Sequence, residues 1–139
     1  MKATSAAGTL PRQGGCAPGT PCVLFVDDHA DTRSALSRLL LREGYGVLTA
    51  GTAAEARRLL ESEPIDLLVA DVQLPDGDGC DLLAHARRSA RPKLRAIAVS
   101  GHGDDLRRRR CREAGFGDYL LKPVMWDDLI AAVRRAAAV

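Results

Sequence analysis

Residues 23–28 read VLFVDD: four apolar side chains, then two adjacent carboxylates, Asp27 and Asp28. The apolar run reads as a strand over 22–26, and the carboxylates fall just past its end. Two like charges about 4 Å apart repel by about 4 kcal/mol at an effective dielectric near 20. A chain that keeps both there needs something to offset them.

Working outward, short apolar runs alternate with helical periodicity. Strands are predicted over 22–26, 46–50, 66–70, 95–99 and 118–121, and helices over 31–43, 53–62, 79–90, 104–114 and 126–138. The first helix carries Ala35, Leu36, Leu39 and Leu40 on one face and stops at Gly44. The second opens with the capping box Thr52-Ala-Ala-Glu55. Five strand–helix repeats with near-continuous apolar strands imply an α/β fold, a doubly wound (βα)5 arrangement whose five-stranded parallel sheet is covered on both faces. Residues 1–21, rich in Gly, Pro, Ala, Thr and Ser, show no periodicity and read as a flexible leader or linker, leaving 22–139 as one domain.

The length of 139 residues suits one core. Lys and Arg number 20 against 18 Asp and Glu, a net charge of +2, too weak a field to argue for nucleic acid or a membrane surface. No apolar stretch has signal-peptide or membrane-spanning length, so a soluble, cytoplasmic protein is expected. The cysteines, Cys16, Cys22, Cys80 and Cys111, form no CxxC pair and are expected as buried reduced thiols rather than disulfide partners or zinc ligands.

In an open parallel sheet, chemistry collects beyond the carboxyl ends of the strands. Those ends carry Asp27-Asp28, Asp71, Ser100 and Lys122-Pro123. Each alone has a bland reading, as a helix cap, a turn or a solvated loop. Together they bring three carboxylates, a hydroxyl and an ammonium to one rim. Clustered carboxylates with oxygen-only donors suit Mg2+, with Mn2+ as a possible substitute, and the acidic pair then holds the metal. Asp71 stands apart from the pair and is placed to act as a nucleophile toward phosphorus.

VDD after the first strand, DVQLPDGDG after the third, AVSGHG after the fourth and DYLLKP at the fifth resemble the receiver domain of bacterial two-component response regulators. The resemblance runs from about Cys22 to the C-terminus, with the motifs in the family's order and spacing. It implies a flavodoxin-like sheet of strand order 2-1-3-4-5. It implies Asp71 as phosphoacceptor, Asp28 as direct Mg2+ ligand, Asp27 as a ligand acting largely through water, and the Gln73 backbone carbonyl as the third protein ligand. Lys122 would contact the phosphoryl group, with Pro123 following in what the family often shows as a cis peptide. Ser100 and Tyr119 take the places of the switch residues, and the side chains of Gln73 and His102 those that tune hydrolysis.

The implied function is a phosphorylation-dependent signalling switch rather than a conventional enzyme. A histidine kinase or histidine phosphotransfer protein would be the donor, and a downstream protein of unknown identity the target. No nucleic-acid or membrane partner is expected, and the protein is expected as a monomer or weak dimer. With no output domain after Val139, the signal would pass through a protein partner or onward phosphotransfer.

Rival readings are an excised C-terminal receiver of a hybrid histidine kinase, a haloacid-dehalogenase-type phosphatase and a flavodoxin-like nucleotide binder. The second wants its nucleophile in a DxD at the first strand, where this chain has DDH; the third wants a phosphate loop where His29-Ala30-Asp31 is too acidic. The run Arg107–Arg110 reads as a solvated helix face paired with Asp104, Asp105 and Glu113 at i,i+4 spacing. His29 and His85 read as surface residues. Trp126 reads as core or edge packing in the opening turn of the last helix.

Overall fold

The computed structural model describes residues 16, 17, 19–89, 91–101 and 103–137. Five strands, β1 (Cys22–Val26), β2 (Gly46–Ala50), β3 (Leu67–Asp71), β4 (Arg95–Ser100) and β5 (Asp118–Leu121), alternate with five helices. The helices are α1 (Ala30–Arg42), α2 (Ala53–Ser62), α3 (Gly79–Ser89), α4 (Asp105–Ala114) and α5 (Trp126–Ala137). The strands pair in parallel in the order β2-β1-β3-β4-β5. The order is the one implied by the resemblance.

Strand periodicity divides the core in two. Leu24, Val26, Leu68, Ala70, Ala96 and Ala98 face α2, α3 and α4. Their chain neighbours Val23, Phe25, Leu67, Val69, Ile97 and Val99 face α1 and α5. Because both faces are covered, β1 and β3 are buried along their whole length, which is why neither shows polar alternation. The two layers are seated unequally. α5 buries Leu129, Ile130, Ala132 and Val133, whereas α4 buries Cys111 alone.

Helix ends explain several sequence features. The Thr52 Oγ1 accepts from the Glu55 N–H at 3.1 Å, as a capping box requires, but the Glu55 carboxylate returns to the Gly51 N–H at 2.8 Å rather than to that of Thr52. The remaining donors of α2 are met from outside: Asp76 accepts from Ala53 N–H at 2.7 Å and from Ala54 N–H at 3.0 Å. At its far end, the Arg91 guanidinium donates to the carbonyls of Leu60, Glu63 and Ile65. α4 closes on Gly115, whose φ of 114° lets its N–H and that of Phe116 both turn back to the Cys111 carbonyl.

These backbone hydrogen bonds hold the Asp76 carboxyl below its ordinary value of 3.8. A carboxylate with a lowered folded pKa stabilises above its unfolded value, and the effect is lost as pH falls through the folded one. Asp76→Ala is therefore expected to lower the urea midpoint at neutral pH and to converge on wild type in acid, which a pH series of unfolding curves checks.

Four expectations change. The face of α1 turned to the sheet runs through Leu36, Ser37, Leu40 and Leu41, while Ala35 is exposed, because the helix sits rotated relative to the apolar quartet read from sequence. The third strand starts one residue later and includes Asp71, since its ladder with β4 continues to the Asp71–Val99 pair. The Arg107–Arg110 run does not self-pair at i,i+4. Arg107 meets Asp104 at i,i+3, Arg110 reaches Asp78 at 2.9 Å, and Arg108 lies over the Tyr119 ring at 5.0 Å. Finally, Cys16 and Cys22 form a disulfide: a turn closed by Thr20 N–H on the Ala17 carbonyl folds the chain back, and Cys16 packs against the core. Cys80 and Cys111 are buried thiols, as expected. Of the leader expected over 1–21, residues 1–15 and 18 lie outside the described residues.

Candidate phosphoryl-accepting site

The rim at the carboxyl ends of β1, β3, β4 and β5 brings together Asp27, Asp28, Asp71, Ser100 and Lys122. Asp27 and Asp71 are 2% and 6% exposed, so each carboxylate must be satisfied by protein groups. Lys122 supplies the largest share. Its ammonium donates to Asp71 Oδ2 at 2.6 Å and stands 3.4 Å from Asp27 Oδ2. The other oxygens take backbone donors: Asp71 Oδ1 accepts from the Gln73 N–H at 3.1 Å, and Asp27 Oδ1 from the His29 N–H at 2.8 Å. Asp28 is exposed, and the His29 ring stands beside it, Nδ1 lying 3.2 Å from Asp28 Oδ1 and 3.2 Å from Asp27 Oδ1.

Backbone geometry holds these groups in place. Lys122 N–H donates to the Ser100 carbonyl at 2.8 Å, one step past the β4–β5 ladder, and the Lys122–Pro123 peptide is cis. After Asp71 the chain makes a short antiparallel ladder, Gln73–Leu74 against Gly77–Asp78, before Gly79 opens α3. A Cβ on Gly79 would lie 2.7 Å from the Asp71 carbonyl oxygen, so only glycine lets the start of α3 approach the strand end. The Ser100 residue is buried at the end of β4, and Tyr119 is half-buried on the α2–α4 side of the sheet. Trp126 packs on the opposite, α1–α5 side. Asp27, Asp28, Asp71, Ser100 and Lys122 thus stand at one rim, and His102 lies outside the described residues.

Three residues at or near the rim escaped the sequence reading. Arg33 Nη1 donates to the Asp27 carbonyl at 2.8 Å, His29 bridges both carboxylates, and Asp76 ties the turn after Asp71 to α2. Only Asp76 left a trace, as an Asp in a Pro-Asp-Gly turn. The other two depend on how α1 leaves β1.

Burial pulls the Lys122 ammonium down, but the hydrogen bond and charge of Asp71, followed by the charge of Asp27, outweigh it and raise the pKa above 10.5. A group whose folded pKa is raised stabilises fully below its unfolded value and loses that contribution as pH rises through the folded one. Lys122→Met is expected to be less stable than wild type at neutral pH, with the gap closing above pH 10.5, as urea midpoints along the alkaline limb would show.

The donor set fits a hard divalent cation. One ligand atom each from Asp27, Asp28 and His29 lies within 4.8 Å of the others, and the two carboxylates supply the oxygen donors that Mg2+ prefers.

A doubly wound parallel sheet of this strand order, with polar residues gathered at one rim, places the chain among the flavodoxin-like α/β proteins. Residues 23–134 match the response regulator receiver domain, and the chain belongs to that family. It is 40% identical over 114 residues to an uncharacterized 14.6 kDa protein from Leptolyngbya boryana, covering 81% of this chain and 87% of that one. It is 34% identical over 119 residues to the transcriptional regulatory protein AruR of Pseudomonas aeruginosa, covering 82% of this chain but 48% of AruR. Against the DNA-binding transcriptional regulator NtrC of Rhizobium meliloti the identity is 35%, covering 84% of this chain and 24% of NtrC. The chain therefore spans half or less of these regulators. Among solved structures, a CheY-like receiver domain protein from Methanospirillum hungatei superposes with a TM-score of 0.79 at 32% identity, covering 84% of this chain and 93% of that one. A receiver protein from Pseudomonas putida gives 0.79 at 35%, covering 86% and 99%. Receiver domains of this family are generally signalling switches of two-component systems and typically bind Mg2+. No helix of the described residues is long and apolar enough to cross a membrane.

Proposed function

We propose that this receiver takes a phosphoryl group onto Asp71 from a histidine kinase or histidine phosphotransfer protein, with Mg2+, and changes its partner-binding surface in response. The observation that carries this reading is the Asp71 carboxylate, buried at the end of β3, held by the Gln73 N–H and the Lys122 ammonium beside the acidic pair. Asp71 attacks phosphorus; the bond from phosphorus to the donor's imidazole nitrogen breaks as the bond to the carboxylate oxygen forms. Asp27, Asp28, Asp71 and the Gln73 carbonyl would hold Mg2+, which would neutralise charge on the incoming phosphoryl oxygens. Lys122 transfers its hydrogen bond from the carboxylate to a phosphoryl oxygen, and the Ser100 hydroxyl donates to another. The side chains of Gln73 and His102 tune the attack of water that ends the signal.

Phosphorylation biases a pre-existing equilibrium in which Ser100 moves toward the phosphoryl group and Tyr119 turns inward. Arg108, stacked on Tyr119, would carry that movement into α4. The response surface is formed by α4, β5 and α5, where Leu106 on α4, Leu121 on β5 and Met125 just before α5 are large apolar side chains exposed to solvent. A groove of about 680 Å³ lined by Asp27, His29, Leu36, Lys122, Pro123 and Val124 gives the donor room beside the site. The compartment is the cytoplasm. That the chain spans 24–48% of two relatives favours, as a second reading, the same switch working as the receiver module of a longer regulator. The test is incubation with a small acyl phosphate: a hydroxylamine-labile mass gain of one phosphoryl group is expected with Mg2+ and absent with chelator. A label indifferent to chelator overturns the proposal.

A further inference from the structure

Two thiols meet beneath α4. Cys80, second residue of α3, and Cys111, in the last turn of α4, are buried with their sulfurs 3.6 Å apart. Cys111 is the single fully buried residue of α4, so its thiol is the deepest contact that helix makes with the fold. Its remaining positions include five arginines turned largely to solvent. Beside the sulfurs, Arg110 pairs with Asp78 at 2.9 Å, and the same Asp78 carboxylate accepts from the Cys80 N–H. The ion pair ties α4 to the residue just before α3, beside the point where the sulfurs face each other.

We propose that Cys80 and Cys111 are a modification site: a redox pair that a hydroperoxide converts to a disulfide when α4 lifts, tying α4 to α3. The site stands whether or not Asp71 accepts phosphoryl. In the first step one thiolate attacks the peroxide oxygen; the O–O bond breaks, an alcohol or water leaves, and the sulfur becomes a sulfenic acid. The second thiolate then attacks that sulfur and expels hydroxide, which leaves as water after protonation. The two thiols give up two electrons and two protons in all. The hydroperoxide is reduced to alcohol and water, and a small dithiol reverses the change through a mixed disulfide.

The seating of α4 makes this a gated reaction. Burial and the neighbouring sulfur push the Cys80 thiol up to about 12, and burial raises Cys111 as well, so both stay protonated while the helix is down. A helix with one fully buried side chain, held otherwise by surface contacts such as Arg110–Asp78 and Arg108–Tyr119, opens locally at lower cost than α5 with its four. Once open, the thiols meet water, ionise near the ordinary ~8.5 and become reactive. The closing bond shortens the sulfur separation to about 2.05 Å, a movement that an otherwise solvent-facing helix accommodates.

The experiment treats fully reduced protein with hydrogen peroxide under native conditions and maps the products by proteolysis and mass spectrometry. A Cys80–Cys111 cross-linked peptide pair two hydrogens lighter is expected, distinct from the Cys16–Cys22 product and reversed by dithiothreitol. Amide exchange across α4 is expected to slow about tenfold or more in the cross-linked form. Cys80→Ala should leave Cys111 as a sulfenic acid that dimedone traps. Three results overturn the proposal: both thiols surviving peroxide while Cys16 and Cys22 oxidise, sulfinic products without the cross-link, or a cross-link that leaves α4 exchange unchanged.

Discussion

Replacing Asp71 with asparagine is expected to erase phosphoryl labelling while leaving the fold intact. The amide would keep the shape of the side chain and an oxygen for the Gln73 N–H, so neither β3 nor the turn after it loses its partner. What disappears is the charged oxygen that attacks phosphorus. Removing a nucleophile outright costs on the order of 10⁶ in enzymes where it has been measured, so labelling by acyl phosphate should fall by at least ~10³-fold, to the detection floor. Two carboxylates remain nearby, which makes the variant a strict test: label moving to Asp27 or Asp28 would show that proximity to the metal, not the identity of Asp71, selects the acceptor. Asp71→Ala is the less clean version, because it also strips Lys122 of its 2.6 Å partner and leaves the ammonium to Asp27 alone.

Gly79→Ala is expected to destabilise the protein by about 1–3 kcal/mol and to slow labelling, although it touches no charged group. The added methyl would stand 2.7 Å from the Asp71 carbonyl oxygen and 3.2 Å from the Val72 Cα. Both are backbone atoms at the end of a central strand, and neither yields as a flexible side chain would. Either α3 backs away, breaking the 2.8 Å bond from Gly79 N–H to the Val72 carbonyl, or the strand end carrying the nucleophile shifts. For a chain of this size the cost corresponds to roughly 3–10 °C in melting temperature. Gly101→Ala is the matched control, since nothing lies within 4 Å of a Cβ built there. Equal melting temperatures for the two variants would refute the close-approach account.

How much of this could be read from sequence depends on which interaction carried the information. Strands β1 and β2 fall where their apolar runs lie because burial on a sheet leaves a local signature; β5, an edge strand with no fully buried residue, is placed by its short apolar run alone. Asp27, Asp28, Asp71, Ser100 and Lys122 were legible as a set because strand ends in a parallel sheet converge whatever the loops do. The rotation of α1 was not legible, since Ala35 and Ser37 are both small and only packing decides which is buried. Nor were the arginine partners. Arg110 finds Asp78 and Arg91 finds the end of α2 across contacts 26 to 32 residues apart in sequence, where i,i+4 reasoning has no purchase. The Cys16–Cys22 bond escaped for a related reason: cysteine spacing carries no record of a turn that brings two sulfurs together.

The strand order also gives the site a history within each round of synthesis. β1, β2 and β3 are contiguous in the sheet and complete by Asp71, so all three carboxylates of the rim leave the ribosome on a segment able to pair with itself. Lys122, which answers their charge, follows Asp71 by 51 residues, on the far side of β4 and β5. The nascent protein is therefore an acidic rim first and a charge-balanced one last. For that interval it relies on solvent and on cations to hold apart what the lysine later holds together.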